Sequence, residues 1–290
     1  MRLRAHSVAK SLPARFDGRV HSVFHRAFNL ELDGGGIVPV VASRHAPVGG
    51  IQIPATVPDF TALTQAGLPA ACRGDVLRVG PLLAIGLRGA EPCSPAEPAF
   101  SWRPGRADSG QAWRCAWNRF QQEPSHFASP ALKQHLGQML HAVQGAHGGL
   151  PAAAQALIGL GPGLTPSGDD ALVGWLCAAH ALSRADPSLA LWCERLAEGI
   201  ASCVQRTTVI SRHYLRHAAR GEVGVHLTGL VEAIGQGDLE RTKAAMTDAL
   251  SVGATSGADG VLGLLVGLAS AHPNTPALLP GDWAVLSAAA

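Results

Sequence analysis

The segment Gly159–Asp170 reads GLGPGLTPSGDD and leads directly into the apolar stretch ALVGWLCAAHAL. Its four glycines permit positive φ and close backbone approach, while Pro162 and Pro166 fix φ and remove hydrogen-bond donors. This composition predicts a shaped loop followed by a buried helix. Ser167 is the predicted N-cap, and the backbone N–H groups at the start of the helix are predicted to be free for a ligand.

A second segment, residues 253–265, reads GATSGADGVLGLL and repeats the same pattern. Both copies contain Ser-Gly-x-Asp, and both place a glycine four residues after that Asp. Either the copies mark two related helical halves that present their loops to one cleft, or short glycine-rich loops resemble each other by chance. If the repeat has meaning, the two helix N-termini converge on one pocket, with the segment 159–166 as a wall. Gly263 and Gly267 predict a helix face that another backbone approaches closely.

A purely structural explanation of these loops is a capping box, with Ser at the N-cap and Asp at the third helical position. That explanation leaves GLGPGLTP unexplained, and we therefore predict a binding site at the two loops. The predicted substrate-binding residues of this segment pair are Gly163, Thr165, Ser167, Gly168, Thr255, Ser256 and Gly257.

Free N–H groups at a helix start favour an anion, but adjacent carboxylates oppose one. Mg²⁺ held by Asp169, Asp170 and Asp259 would resolve this conflict, since Mg²⁺ takes carboxylates together with substrate phosphate oxygens. Alternatively, the carboxylates accept hydrogen bonds from an amide or ureido N–H, while the loop amides hold a carboxylate or phosphate. Asp169 and Asp170 are the predicted catalytic residues. No cofactor is certain, and Mg²⁺ is one option.

The stretch TTVISRHYLRHAARGEVGVHL, residues 207–227, carries further candidates. Ser211 and Arg212 are predicted to bind an acidic substrate, with Arg216 and Arg220 as further cations. A solvated helix face is the alternative for all of them.

Two histidines in the same stretch, His213 and His217, share a helix face, but no Glu or Cys completes a zinc pattern around them. A solvated pair is the favoured interpretation. The six cysteines show no CxxC spacing and are predicted to be free thiols.

The 290 residues suit one large domain or two of ordinary size, and 47% hydrophobic residues suffice for a core. A net charge of +2 gives no basis for nucleic-acid binding. The N-terminus lacks an apolar signal segment, and the longest apolar run is shorter than the roughly 20 residues that span a bilayer. We therefore expect a cytoplasmic protein without membrane contact.

The composition changes along the chain and predicts an α+β fold. A small β-rich part, a barrel or sandwich, occupies residues 1–110 and ends in a Pro-rich linker at 91–110. A mostly α-helical domain occupies 111–290 and carries both loops. The predicted strands are Val20–Phe24, Ala27–Leu32, Ile37–Ala42, Asp75–Val79 and Leu82–Leu87.

The helices are predicted from apolar periodicity, from Pro or Asp near the first turn and from Gly at the end. They are Ala112–Phe120, Pro130–Val143, Pro151–Ile158, Asp169–Leu182, Pro187–Val204, Thr207–Ala219, Val225–Gln236, Asp238–Val252 and Asp259–Ala271.

GLGPGLTPSGDDALVG, the later stretch that begins Thr-Thr, and GATSGADGVLGLL together resemble a bacterial family long catalogued as a domain of unknown function. The segment Gly18–Phe24 is also similar to that family. One member is a subunit of oxamate carbamoyltransferase, which moves a carbamoyl group between oxalurate and phosphate in allantoin catabolism. The resemblance covers most of the chain and implies an activity class, but it assigns no catalytic residue.

Two hypotheses follow. In the first, the chain is an enzyme or enzyme subunit that acts on a small carboxylate, ureido or phosphorylated metabolite, with carbamoyl transfer as the reaction. The amides of Gly168 and Gly257 would then polarise the carbonyl oxygen. In the second, the chain is a non-catalytic binding or scaffold subunit of a multi-subunit metabolic complex. The expected partners are a small-molecule substrate and other carbamoyltransferase subunits, and the sequence leaves the oligomeric state open, an oligomer being one option.

Overall fold

The computed structural model describes residues 1–57, 59–95, 107–123, 129–144 and 149–271. The chain divides into two compact units, Met1–Ala96 and Glu97–Ala290. Within the described residues, no helix is long and apolar enough to cross a membrane.

The N-terminal unit is built on one curled half-barrel sheet. Its described residues form ten strands in the order β1-β9-β8-β7-β3-β4-β5-β6-β2-β10. The strands are β1 (Arg2–Arg4), β2 (Ser7–Ala9), β3 (Arg15–Val23), β4 (Ala27–Leu32), β5 (Ile37–Ala42), β6 (Ile51–Ile53), β7 (Pro69–Arg73), β8 (Val76–Val79), β9 (Leu83–Gly86) and β10 (Glu91–Cys93).

Strands β3, β4 and β5 form an antiparallel meander, and β3 also pairs with β7, from which β8 and β9 continue. The β4–β5 turn uses Gly35 and Gly36 at φ of 84° and 98°, where other residues are strained. The hydrophobic core of this unit includes Phe28 and Leu30 of β4 and Val40 of β5. Phe60 meets Phe28 edge to face at 5.0 Å between ring centroids.

The predicted α+β class is confirmed, and β4 and β5 have the predicted bounds. The three-residue strands β1, β2, β6 and β10 were not predicted, because so few residues show no alternation. Strand β10 contradicts the prediction of a linker from residue 91, and the described residues 107–110 are helical. The remaining linker prediction, 96–106, lies outside the described residues.

The described part of the C-terminal unit is helical. Its helices are α1 (Ala107–Gln121), α2 (Pro130–Gln144), α3 (Leu150–Leu157), α4 (Ser167–Ala185), α5 (Ala190–Cys203), α6 (Val209–Ala218), α7 (Val225–Gln236), α8 (Leu239–Leu250) and α9 (Ser256–Ser270).

Helices α4 and α9 form the centre of this unit and run parallel, with their N-termini at the same end. Residues Gly257–Ser270 of α9 are all buried. A Cβ at Gly174 would lie 1.8 Å from the Gly260 carbonyl oxygen, and a Cβ at Gly263 would lie 1.9 Å from that of Ala171. These two contacts are equivalent under the sequence repeat, and the prediction of close backbone approach at Gly263 is confirmed.

The helix ends depart from prediction where local signals mislead. Helix α7 matches its predicted bounds, but α4 and α9 begin at Ser167 and Ser256, before the predicted starts Asp169 and Asp259. The predicted helix Pro187–Val204 is a 3-10 turn, Pro187–Leu189, followed by α5 and by a second 3-10 turn at Val204–Arg206. The cysteines among the described residues are free thiols, as predicted.

Candidate functional site

The two Ser-Gly-x-Asp loops meet where α4 and α9 begin. The Thr165 hydroxyl before α4 and the Ser256 hydroxyl at the start of α9 are 2.8 Å apart and hydrogen bonded. The predicted convergence of the two helix starts is confirmed. We call Thr165, Ser167, Asp170, Thr255, Ser256 and Asp259 the paired-loop site.

The contacts of this site cross between the helices. Asp170 of α4 interacts with the hydroxyls of Ser256 and Thr165, while Asp259 of α9 interacts with those of Ser167 and Thr255. Each carboxylate therefore has a serine partner on the opposite helix.

This crossing replaces the predicted capping boxes. The N-cap of α4 is Pro166 and that of α9 is Thr255, and neither side chain makes a capping hydrogen bond. Ser167 is consequently not the N-cap, and the prediction of that role was wrong. The reason is tertiary: the serine hydroxyl of each helix start turns to the carboxylate of its neighbour.

Burial dominates the electrostatics of the paired-loop site. Burial raises the pKa of Asp170 to about 8, with the nearby Asp259 charge acting in the same direction and the Ser256 and Thr165 hydroxyls opposing it. Burial also raises the pKa of Asp259, which is only 8% exposed. The Oδ2 atoms of both carboxyl groups are buried without a hydrogen-bond partner among the described residues.

Asp169 serves a different purpose from its neighbour. It is 1% exposed; its Oδ1 accepts a 2.9 Å hydrogen bond from the Gly159 N–H, and its Oδ2 accepts one from the Thr207 hydroxyl. Burial raises its pKa, and these hydrogen bonds oppose the shift. Both oxygens are thus occupied in holding the loop and the start of α6, which fits a positioning role better than substrate contact.

The loop 159–166 is held in a defined shape. Gly159, Gly161 and Gly163 have φ of 75°, 112° and 95°, a region that favours glycine. The Thr208 hydroxyl donates to the Leu164 carbonyl at 2.5 Å. Because Asp169, Thr208 and Ser256 fasten successive parts of the loop, its exposed turn at Gly163 is supported on both sides.

The prediction of free amides at Gly168 and Gly257 was wrong. The Gly168 N–H donates to the Leu160 carbonyl at 2.8 Å, and the Gly257 N–H donates to that of Val252 at 2.9 Å. A Cβ at Gly168 would lie 2.1 Å from the Leu157 carbonyl oxygen, so this glycine serves close packing. With these amides used, the unpartnered Oδ2 atoms of Asp170 and Asp259 are left as the candidate ligand contacts.

Only some of the substrate-binding residues predicted on helix α6 lie near the paired-loop site and Asp169. Ser211 lies beside the Asp169 carboxylate. The Arg212 guanidinium donates to the carbonyls of Gln205 and Thr207 at 3.4 and 3.3 Å, so it braces the segment before α6. Arg216 is exposed, and Arg220 pairs with Glu222 at 3.1 Å.

Sequence reasoning missed one contributor on α6, Tyr214. Burial, with the nearby Asp170 charge acting in the same direction, raises the pKa of Tyr214 to about 12. Tyr214 is the single tyrosine of the chain, and that rarity was the one signal for it.

The predicted magnesium set is not formed. Among the described residues, no three or more His, Cys, Asp or Glu side chains are placed to hold a metal ion. Both oxygens of Asp169 accept hydrogen bonds from Gly159 and Thr207, so Asp169 does not join Asp170 and Asp259 in a set of metal ligands. His213 and His217 have ring centroids 4.5 Å apart, and His217 pairs with Glu222 at 2.5 Å.

Comparison with known families gives matches over both units. A family model described as oxamate carbamoyltransferase subunit AllH matches residues 157–268, which span α4, α6, α9 and the paired-loop site. A second, the AllH family N-terminal domain, matches residues 3–92 and thereby the sheet. No solved structure matches the chain. Since the two matches cover most of its length, the chain belongs to the AllH family, named for a subunit of oxamate carbamoyltransferase.

Proposed function

We propose that this chain is a subunit of a carbamoyltransferase and binds a small carboxylate or ureido substrate at the paired-loop site. The observation that carries the proposal is the convergence of two equivalent hydroxyl–carboxylate pairs on one end of the helical unit. The family's name supplies the reaction class.

The orphaned carboxylate oxygens support a ligand site. A buried polar atom without a partner costs about 1–3 kcal/mol, so a protein gains by giving it one. A substrate N–H group would satisfy the unpartnered Oδ2 of Asp170 or Asp259. The Ser256 and Ser167 hydroxyls already interact with these carboxyl groups and would hold them in position for the substrate.

Asp170 is the candidate general acid of the site. Its pKa of about 8 keeps it largely protonated at neutral pH, close to the value at which proton transfer is most efficient. It would deliver a proton to the departing group and recover one from the incoming nucleophile. Asp169 would act through the loop that it holds, as a positioning residue.

A Ser256→Ala substitution tests the proposal in the complex formed with the co-expressed partner subunits. We expect kcat/KM for carbamoyl transfer to fall at least 100-fold while the Tm shifts by no more than a few degrees, since one hydrogen bond contributes about 1 kcal/mol. Ser251→Ala, an exposed hydroxyl at the end of α8, is the matched control. Full activity of the Ser256 variant would contradict a substrate role for the site.

A binding or scaffold role is the second candidate, and a groove between α1 and α8 favours it. The groove has a volume of about 710 Å³ and is lined by the cations Arg114, Arg119 and Lys243 together with Gln111, Cys115, Asn118, Gln122, Leu239 and Thr247. Arginine is enriched at protein interfaces, and two arginines line this groove. If assembly fails in Arg114→Glu while Ser256→Ala leaves activity intact, the scaffold role is correct.

A further inference from the structure

The two carboxyl groups of the paired-loop site, Asp170 and Asp259, are close together and buried, which disfavours ionisation of both. Asp170 and Asp259 are both shielded from water, and each has a buried Oδ2 without a partner among the described residues. Two nearby buried carboxylates cannot both ionise cheaply, because each charge loses its hydration and repels the other. The first proton is therefore retained to a higher pH than in an isolated aspartate.

The surroundings decide which group keeps the proton. Asp170 is flanked by Asp169 on its own helix, by Asp259 on α9 and by Tyr214 on α6. Each carboxyl group interacts with two hydroxyls, Ser256 and Thr165 for Asp170 and Ser167 and Thr255 for Asp259, so the hydroxyls do not distinguish them. Asp170 has a second carboxyl neighbour, Asp169, that Asp259 does not share, and Asp170 is therefore the one that stays protonated.

We infer that Asp170 as a carboxylic acid and Asp259 as a carboxylate together recognise the amide edge of a carbamoyl group. The Asp170 O–H donates to the carbonyl oxygen, and an oxygen of Asp259 accepts from the N–H. This inference rests on the proposed function, which locates the substrate at the paired-loop site.

The pair also explains how a carbamoyl group would be selected over a carboxylate. A carbamoyl edge offers one acceptor and one donor, which matches one acid and one carboxylate. A carboxylate edge offers two acceptors, so one of its oxygens would face Asp259 without a proton between them. A site built to bind an N–H group discriminates strongly against an analogue that lacks it, because its own polar group is left unpaired.

Oxamate and oxalate are the probes, since they differ by an amide in place of a carboxylate. Isothermal titration at pH 7 uses the chain in its complex with the co-expressed subunits. We expect oxamate to bind at least tenfold more tightly than oxalate, and its affinity to fall above about pH 8 as Asp170 ionises. Asp170→Asn, which keeps a donor at every pH, should bind oxamate with no such fall.

Asp259→Asn should lose the preference for oxamate, because an amide at this position donates to oxalate as readily as it accepts from oxamate. Asp33→Asn, in the exposed β4–β5 turn, is the matched control and should behave as the wild type. Equal affinity of the wild-type complex for the two probes would overturn the inference and leave the proposed site standing. Binding of neither probe would overturn both.

Carbon-13 NMR of the aspartate side chains gives a readout that needs no ligand. The inference requires one carboxyl resonance to titrate near pH 8 and to disappear in Asp170→Asn. An Asp170 resonance that titrates near pH 4 would sink the inference whatever the binding data show.

Discussion

The loops that precede α4 and α9 differ although the helices that follow them are equivalent. Before α4, the segment 159–166 contains three glycines at positive φ and two prolines; before α9, the connection is short and uses only Gly253 at positive φ. The third helical position carries Asp169 in α4 and Ala258 in α9. The longer loop thus has an additional buried carboxylate that holds it, whereas the shorter loop needs none.

This difference separates two adjacent residues that look alike in the sequence. Asp170 has an equivalent in Asp259 and belongs to the feature that the halves share. Asp169 has no equivalent, and its two hydrogen bonds go to the long loop and to the segment before α6. The repeat therefore distinguishes the residues of the site from those that support it.

The largest effect is expected where the two halves touch. In Gly174→Ala the new Cβ would clash with the Gly260 carbonyl, and relief requires the two helices to separate. We expect a loss of about 3 kcal/mol in the free energy of unfolding, measured by guanidinium denaturation, because backbone cannot move as a side chain does.

The control for this substitution is Gly229→Ala in α7, where an added Cβ meets nothing within 4 Å. There we expect a gain of up to about 1 kcal/mol from helix propensity. If both variants have wild-type stability, the close helix pairing described above does not exist.

A smaller loss in the free energy of unfolding is expected when Asp169, which has no equivalent in α9, is replaced. Asp169→Ala leaves the Gly159 N–H and the Thr207 hydroxyl without their acceptor, at a cost of about 2–3 kcal/mol. Hydrogen exchange of the Gly159 amide should accelerate in the same variant. Asp186→Ala removes a carboxylate that accepts from an amide in an exposed turn, and it should change stability much less. Slow exchange at Gly159 in Asp169→Ala would show that another group holds the loop.

The smallest expected effect is a dependence of stability on pH, which arises from Asp170 of the equivalent pair Asp170 and Asp259. The folded-state pKa of Asp170 lies above its unfolded value, so its protonated form stabilises the fold at low pH and this contribution is lost as pH rises through about 8. Between pH 6.5 and 8.5 we expect stability to fall by at most about 1.4 kcal/mol per pH unit. Asp170→Asn should remove this slope, as measured by denaturation at each pH. A wild-type curve that is flat over this range would contradict a raised pKa.

His217 acts in the opposite direction at lower pH. Its pKa is lowered mainly by burial, so its contribution to stability is lost as pH falls below the ordinary histidine value. For this reason the comparison begins at pH 6.5.

The sequence was informative where physical demands are local. The spacing of Gly263 and Gly267 indicated a helix face that another backbone approaches closely, and the composition of 159–166 indicated a shaped loop; both follow from what a missing Cβ permits. Strands β4 and β5 were also predicted from local signals, because the strand pattern and the glycine turn between them depend only on neighbouring residues.

The sequence misled where the partner of a side chain is distant along the chain. Ser167 fits a capping box by spacing, but its hydroxyl is used by Asp259 on another helix. The Gly168 and Gly257 amides fit an anion site, but each donates to a carbonyl of the preceding segment. The Asp169–Thr207 contact depends on how α6 docks on α4, and no short-range pattern encodes it.

Parallel helices that touch through equivalent glycines are related by an approximate rotation of half a turn about their common direction. A site on such an axis begins with two identical ends, as an interface between two copies of a half-sized ancestor would. The carbamoyl substrates proposed above have unlike ends, so they require the two ends of such a site to differ. Because both helices belong to one chain, each end can change by its own substitutions while the glycine contact holds the frame constant.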